Sequence, residues 1–365
     1  MSQIIIGRHI SVPDNYKNKN LGQEIFRILN KYFHTKIKRK CINKSFYPKS
    51  VQIFIGPNTK LVGKNINEFM SKNTIKSIKE LCTKNDRALI IHGSYAISLT
   101  KPVNKNLNIL NVLVRELRNG VLLGAKGIVV HLGSRKIKSL NITYSEKDAL
   151  DNVVNNIKKV LSLYKEKYGK KLKGTKLLLE TPAGQGLAFG SELNNFLKLF
   201  KRLRDYKNVG VCIDTCHIFA AGMVDMRKYI NVLRFWNKIT SIIDPKRIGS
   251  IHLNDSETEF NSHRDCHKEI GCGYIGNKKL GGSLDGYRIL LLKAKEYQIP
   301  IIMETPSGID CECVVEPLNN SAKIVTGKFT NKSKNEMNAV VELSSLKKIK
   351  LKSVPEFYYT LVNYC

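Results

Sequence analysis

Asp265 and His267 stand one residue apart in "DCHKEIGCGYIG" (residues 265–276), two metal-ligand side chains on a turn that runs into a glycine-rich bend. Further imidazoles and carboxylates of the same kind are His92, His131, Glu180, Asp214, His217 three positions after it, His252 and Glu304. Any one of them alone reads as a hydrogen-bonded structural residue or a helix cap. Together they include five of the eight histidines of the chain and four carboxylates. Nine such groups converging on one place would repel or strand their lone pairs unless cations bind among them. Imidazole and carboxylate without clustered thiolate suit Zn2+ or Mn2+, and nine ligands exceed what one tetrahedral ion takes, so two or three metals are expected. Cys212, Cys216, Cys266 and Cys272 form no CxxC pair, and the "CEC" at 311–313 reads as structural.

What must bring these residues together is a repeat of short apolar runs: "IIIG" at 4, "VQIFIG" at 51, "ALIIH" at 88, "GIVVH" at 127, "KLLLE" at 176, "VGVCID" at 209, "RIGSIH" at 247 and "IPIIME" at 299. Runs of this type are strands buried on both faces, and the segments between them, such as "NILNVLVRELRNGVLL" and "ALDNVVNNIKKVLSLYKEKYG", carry apolar residues at three- and four-residue intervals. The alternation predicts an eight-stranded parallel (β/α)8 TIM barrel. Chemistry in such a barrel sits at the C-terminal strand ends. There the third to eighth strands end in His92, His131, Glu180, Asp214, His252 and Glu304, with His217, Asp265 and His267 in the loops that follow.

The chain has 365 residues, 42% hydrophobic and 25% charged, a composition that buries a core and excludes wholesale disorder. Residues 1–306 read as one barrel domain. A basic insertion of about 17–49 follows the first strand, with ten Lys or Arg opposed only by Glu24, and residues 307–365 form a C-terminal extension to which no role is assigned. The formal charge of +31 favours a polyanionic partner, nucleic acid first, although a lysine-biased composition accounts for part of it. No apolar run has the ~20 residues of a membrane helix, and Ile4–Ile6 is too short for a secretory signal. The expectation is a soluble, intracellular protein of the cytoplasm or nucleus, reduced at its cysteines.

The stretches "LLLETPAGQG", "VCIDTCHIFAAG" and "HLNDSETEFNSHRDCHKEIGCGYIG" resemble three signature stretches of the endonuclease IV family of apurinic/apyrimidinic endonucleases. The similarity runs in order from "GRHIS" through "HGSYAISL" and "VVHLGS" to "IIMETP", over nearly all of residues 1–306. It leaves out the basic part of the first crossover and the tail. The resemblance implies three zinc ions per chain, with Mn2+ as a substitute. His92, His131 and Glu180 would hold one; Glu180, Asp214, His252 and Glu304 a second, with Glu180 bridging; His217, Asp265 and His267 the third. It further implies a monomeric hydrolase of base excision repair. The enzyme would cut duplex DNA on the 5′ side of an abasic site, leaving a 3′-hydroxyl and a 5′-deoxyribose phosphate, with Glu180 and Glu304 as catalytic carboxylates.

Tyr95 matches a family position near the DNA. Where the family usually has "DRH" this chain has Asp265, Cys266 and His267, so one arginine contact to phosphate is missing, although Arg264 precedes the turn. Lys36, Lys38, Arg39 and Lys40 of the basic stretch are the candidates to replace it. Two other classes are weighed beside this one. A sugar isomerase or epimerase on the same barrel typically uses one or two metals, and a non-catalytic damage-binding protein would have lost ligands that are all present here.

Overall fold

The computed structural model describes residues 4–13, 20–35, 37–38, 45–56, 58–61, 64–137, 141–169 and 172–306. The eight apolar runs become β1 (Ile6–His9), β2 (Ser50–Phe54), β3 (Ala88–His92), β4 (Gly127–Val130), β5 (Lys176–Glu180), β6 (Val209–Asp214), β7 (Ile248–His252) and β8 (Ile301–Met303). They close into one barrel in sequence order, every pairing parallel, with β8 returning to β1. Around it lie α1 (Leu21–His34), α2 (Lys72–Thr83), α3 (Leu107–Leu123), α4 (Glu146–Tyr168), α5 (Leu193–Arg202), α6 (Thr215–Ala220), α7 (Tyr229–Thr240) and α8 (Asp285–Tyr297).

Local chemistry sets the helix bounds. Ser71 caps α2 by accepting the Thr74 amide at 3.1 Å, and Ser145 caps α4 by accepting that of Asp148 at 3.1 Å. Gly124 and Gly169 end α3 and α4 in the left-handed conformation. Helix α1 lies inside the basic stretch and buries Leu21, Ile25, Leu29 and Phe33, so residues 21–34 are an ordinary barrel helix with a basic outer face rather than an added element. Of that stretch, Lys36, Arg39, Lys40 and the side chain of Lys38 lie outside the described residues, as does the whole extension 307–365. No helix among the described residues is long and apolar enough to cross a membrane.

The strands carry two apolar layers, as period-two alternation requires. One set of side chains meets the helices in the large outer core; the other, Ile90, Val129, Leu178, Cys212 and Ile302, forms a separate fully buried cluster. Two residues further along each of these strands come His92, His131, Glu180, Asp214 and Glu304. The ligand-type residues are therefore the next layer on the same face of the strands, at the C-terminal mouth. Register completes the ring, since Phe54 pairs with His92, Cys212 with Glu180 and Asp214 with His252.

At the opposite rim one guanidinium gathers three backbone carbonyls. Arg247, buried before β7, donates from Nε to Val209 O at 2.7 Å, from Nη2 to Leu203 O at 3.0 Å and from Nη1 to Arg204 O at 3.2 Å. It ties the end of α5 to the start of β6. Replacing Arg247 with Met would leave these acceptors unpaired, at a cost of about 2 kcal/mol. Urea unfolding should show that loss while metal content stays unchanged, because the residue sits at the rim remote from the mouth.

Candidate metal centre

Glu180 is the middle of the cluster. Its carboxylate, 1% exposed, has His131 Nε2 at 3.1 Å and His92 Nε2 at 3.5 Å from Oε2, and His252 Nδ1 at 2.9 Å and His217 Nδ1 at 3.6 Å from Oε1. On the far side His252 Nδ1 also faces Glu304 Oε2 at 3.1 Å and Asp214 Oδ2 at 3.7 Å. Asp265 Oδ1 lies 3.0 Å from His217 Nε2 and 3.3 Å from His267 Nε2, and His267 Nε2 is 3.7 Å from Asp214 Oδ2. All nine residues expected from the sequence are thus brought together.

The ligand atoms of His92, His131 and Glu180 lie within 4.8 Å of one another, as do those of Glu180, Asp214, His252 and Glu304 and those of Asp214, His217 and His267. Glu180 belongs to two of these groups. A second test of fit comes from the buried atoms that lack hydrogen-bond partners, which include Glu180 Oε2, His217 Nε2 and His267 Nε2. Buried polar atoms normally have such partners. Each lies close to other ligand-type atoms without the alignment of a hydrogen bond, the arrangement of lone pairs converging on a cation.

The other ring nitrogens fix which lone pair is offered. His92 Nδ1–H donates to Gly93 O at 2.7 Å, His217 Nδ1–H to Thr181 O at 2.8 Å and His267 Nδ1–H to Glu304 O at 3.3 Å, which turns each Nε2 toward the cluster. His252 is reversed, because its Nε2–H donates to Gln52 Oε1 at 2.8 Å and leaves Nδ1 inward. Gln52 Nε2 in turn donates to Glu304 Oε1 and, at 3.1 Å, to His9 Nδ1. Burial lowers His9 to about 4, leaving a neutral imidazole able to accept that proton. Asn254 Nδ2 donates to Asp214 Oδ2 at 2.7 Å while Asn254 Oδ1 accepts the Glu304 amide at 2.8 Å. Asp214 does two jobs: its Oδ1 accepts the His217 amide at 2.9 Å, capping α6, and this cap is why His217 follows three residues later.

The carboxylates and imidazoles of the cluster shift one another's proton affinity. Burial would raise Glu180, but the facing His131 and His252 hold it well below the ordinary carboxylate value. Burial would lower His217 and His267, but Asp214 and Asp265 outweigh it, carrying His217 well above the usual value and His267 to about 9. His131, where burial prevails, is lowered.

His9, Gln52 and Asn254 were not among the residues expected from the sequence. The lone polar residue in "VQIFIG" and the imidazole closing "IIIGRH" carried a signal; Asn254 is polar in a polar loop and carried none. Tyr95, 51% exposed, stands at the mouth with its ring 5.1 Å from that of His92 and 5.4 Å from that of His131. Beside it opens a groove of about 850 Å³ lined by Tyr95, Lys101, His131, Lys136, Gln185 and Asp265 among others. Arg264 is exposed next to Asp265, and Cys266 is half-buried with its thiol free.

A family model described as a xylose isomerase-like TIM barrel matches residues 49–317. By sequence the chain is 30% identical over 312 residues to the putative endonuclease 4 of Acanthamoeba polyphaga mimivirus, covering 82% of this chain and 85% of that protein. To apurinic-apyrimidinic endonuclease 1 of Saccharomyces cerevisiae it is 34% identical over 179 residues, 49% of this chain and 45% of that one. Among solved structures, endonuclease IV of Thermus thermophilus has a TM-score of 0.62 at 22% identity, covering 87% of this chain and 98% of that chain, a likeness of fold.

Gln52 yields a test of the outer support. Gln52→Met removes the acceptor that sets the His252 tautomer and the donor on Glu304, so metal at the Glu180, Asp214, His252 and Glu304 group should bind about 10–100-fold more weakly. Competition with a chromophoric chelator reads the change. Unaltered affinity of every site would show that Gln52 does not orient these ligands.

Proposed function

The chain belongs to the endonuclease IV, or AP endonuclease 2, family of xylose isomerase-like TIM barrels and is a nuclease, and from that membership we propose that it is a zinc-dependent repair enzyme cutting duplex DNA 5′ to an abasic site. The products are a 3′-hydroxyl and a 5′-deoxyribose phosphate. The observation that carries this reading is the sharing of Glu180 between two ligand groups, with His217, Asp265 and His267 beside them, which fits three ions and not one. The relatives named as endonucleases support it over a sugar isomerase on the same barrel.

His92, His131 and Glu180 would hold one ion, Glu180, Asp214, His252 and Glu304 the second, and His217, Asp265 and His267 the third; Mn2+ has the same ligand preference and would substitute. Cations held there would supply activation of a water near neutral pH and charge stabilisation at both oxygens of an in-line displacement. The protein's own part is geometric. Glu180 sets the spacing of the first two groups, Asp214 joins the second to the third through α6, and Glu304, held by Gln52 and the Asn254 side chain, closes the second. Tyr95 walls the mouth with an aromatic face, and Lys101 and Lys136 line the adjacent groove where a phosphate backbone can be met. Extruding a nucleotide into such a mouth costs least where no base is left to stack or pair, which favours the abasic lesion.

The test uses a duplex with one abasic analogue. The wild type should nick it on the 5′ side and leave an end that a polymerase extends. Glu180→Gln should lower turnover by more than the roughly 100-fold typical of losing an outer-shell partner, while keeping affinity for the duplex, because phosphate contacts lie elsewhere. Near-wild-type turnover in this variant would remove Glu180 from the bridging position.

A further inference from the structure

The glycine-rich bend after His267 has the look of an anion cradle, and its occupant is a side chain of the protein itself. Asp255, fully buried, accepts the amides of Ser256 at 2.8 Å and Ile275 at 2.9 Å on Oδ1, and those of Gly271 at 2.9 Å and Gly276 at 3.0 Å on Oδ2. The bend fits around the carboxylate closely. A Cβ on Gly273 would come within 2.7 Å of Oδ1, and one on Gly276 within 2.8 Å of Oδ2. Burial pushes the Asp255 carboxyl up to about 6, opposed by these amides, so at neutral pH the bend holds a charged group with backbone donors alone.

Asp255 touches no metal ligand by any hydrogen bond described above, yet it fixes the segment on which two of them ride. Asp255 and Ser256 pair antiparallel with Lys268 and His267, and the Glu257 amide donates to Cys266 O at 2.9 Å. On the other flank the Tyr274 amide donates to Ser256 O at 2.8 Å. The segment bearing Asp265, Cys266 and His267 is thus pinned to a short stretch whose own position is set by the carboxylate in its nest. Immediately before Asp255, Asn254 holds Asp214 and Glu304, so one pentapeptide, His252–Ser256, supports both the second and the third ligand group.

We infer that Asp255 is a positioning residue for the third metal: by filling the bend at 271–276 it holds Asp265 and His267 in register with His217. This rests on the three-metal reading proposed above. Asp255→Asn puts an amide NH2 where one oxygen accepted two backbone N–H groups, so the bend must open.

The experiment is metal stoichiometry by plasma emission after dialysis against a mild chelator, combined with the absorption spectrum of the cobalt-loaded protein. Wild type is expected to keep three ions, and Asp255→Asn two, with the third binding about 10–100-fold more weakly and one set of cobalt bands lost. Gly276→Ala, whose methyl would press on Oδ2, on the Gly271 backbone and on Leu284 at 2.8 Å each without altering charge, should give the same deficit and carries the test should Asp255→Asn not fold. Three ions retained at wild-type affinity in a folded variant overturns the inference, as does a loss spread over all three sites. A wild type that itself holds fewer than three ions fails the three-metal reading instead, which keeps the two failures distinct.

Discussion

Everything at the barrel mouth follows from the cost of burying Glu180. A carboxylate 1% exposed, with four imidazole nitrogens between 2.9 and 3.6 Å from it, is tolerable only with compensating positive charge. Its charge raises the neighbouring His92, His217 and His252, so protons there can offset it, but Glu180 Oε2, His217 Nε2 and His267 Nε2 stay without hydrogen bonds. Cations satisfy charge and lone pairs at once. The parallel barrel is suited to this because it sends one layer of side chains from neighbouring strands to a common mouth, with a dry apolar layer directly beneath to hold their backbones rigid.

The three ligand groups are not independent. Glu180 is common to the first two, and Asp214, by capping α6 with one oxygen and facing His252 and His267 with the other, links the second to the third. The supports are shared as well: Gln52 spans His252 and Glu304, and Asn254 spans Asp214 and Glu304. The groups thus share ligands and supports instead of standing apart, in keeping with the joint action on one phosphodiester proposed for them.

Much of this was legible in the sequence. All eight strands are where continuous Ile- and Val-rich runs stand, because burial on both faces removes polar residues from parallel strands and leaves an unmistakable pattern. The ligands were legible for a related reason. A His, Asp or Glu directly after an apolar run is out of place unless it faces the mouth, and period-two spacing from Ile90, Val129, Leu178, Cys212 and Ile302 puts His92, His131, Glu180, Asp214 and Glu304 there. What was not legible is the support. Gln52 and Asn254 act through hydrogen bonds to residues on other strands, which no spacing reveals. The bend at 271–276 has the sequence of a turn or an external anion site, and only the fold brings Asp255, sixteen residues before Gly271, inside it. The basic stretch was legible as charge, and its first part is the regular helix Leu21–His34 that the apolar spacing after the first strand calls for.

The central claim, three cations organised by one bridging carboxylate, is tested most directly by anomalous diffraction at the zinc absorption edge from crystals grown with zinc. The predicted map has three peaks at the barrel mouth. One lies among His92, His131 and Glu180, one among Glu180, Asp214, His252 and Glu304, and one among His217, Asp265 and His267, with a Glu180 oxygen in contact with each of the first two. A single peak, or peaks that Glu180 does not bridge, would contradict it.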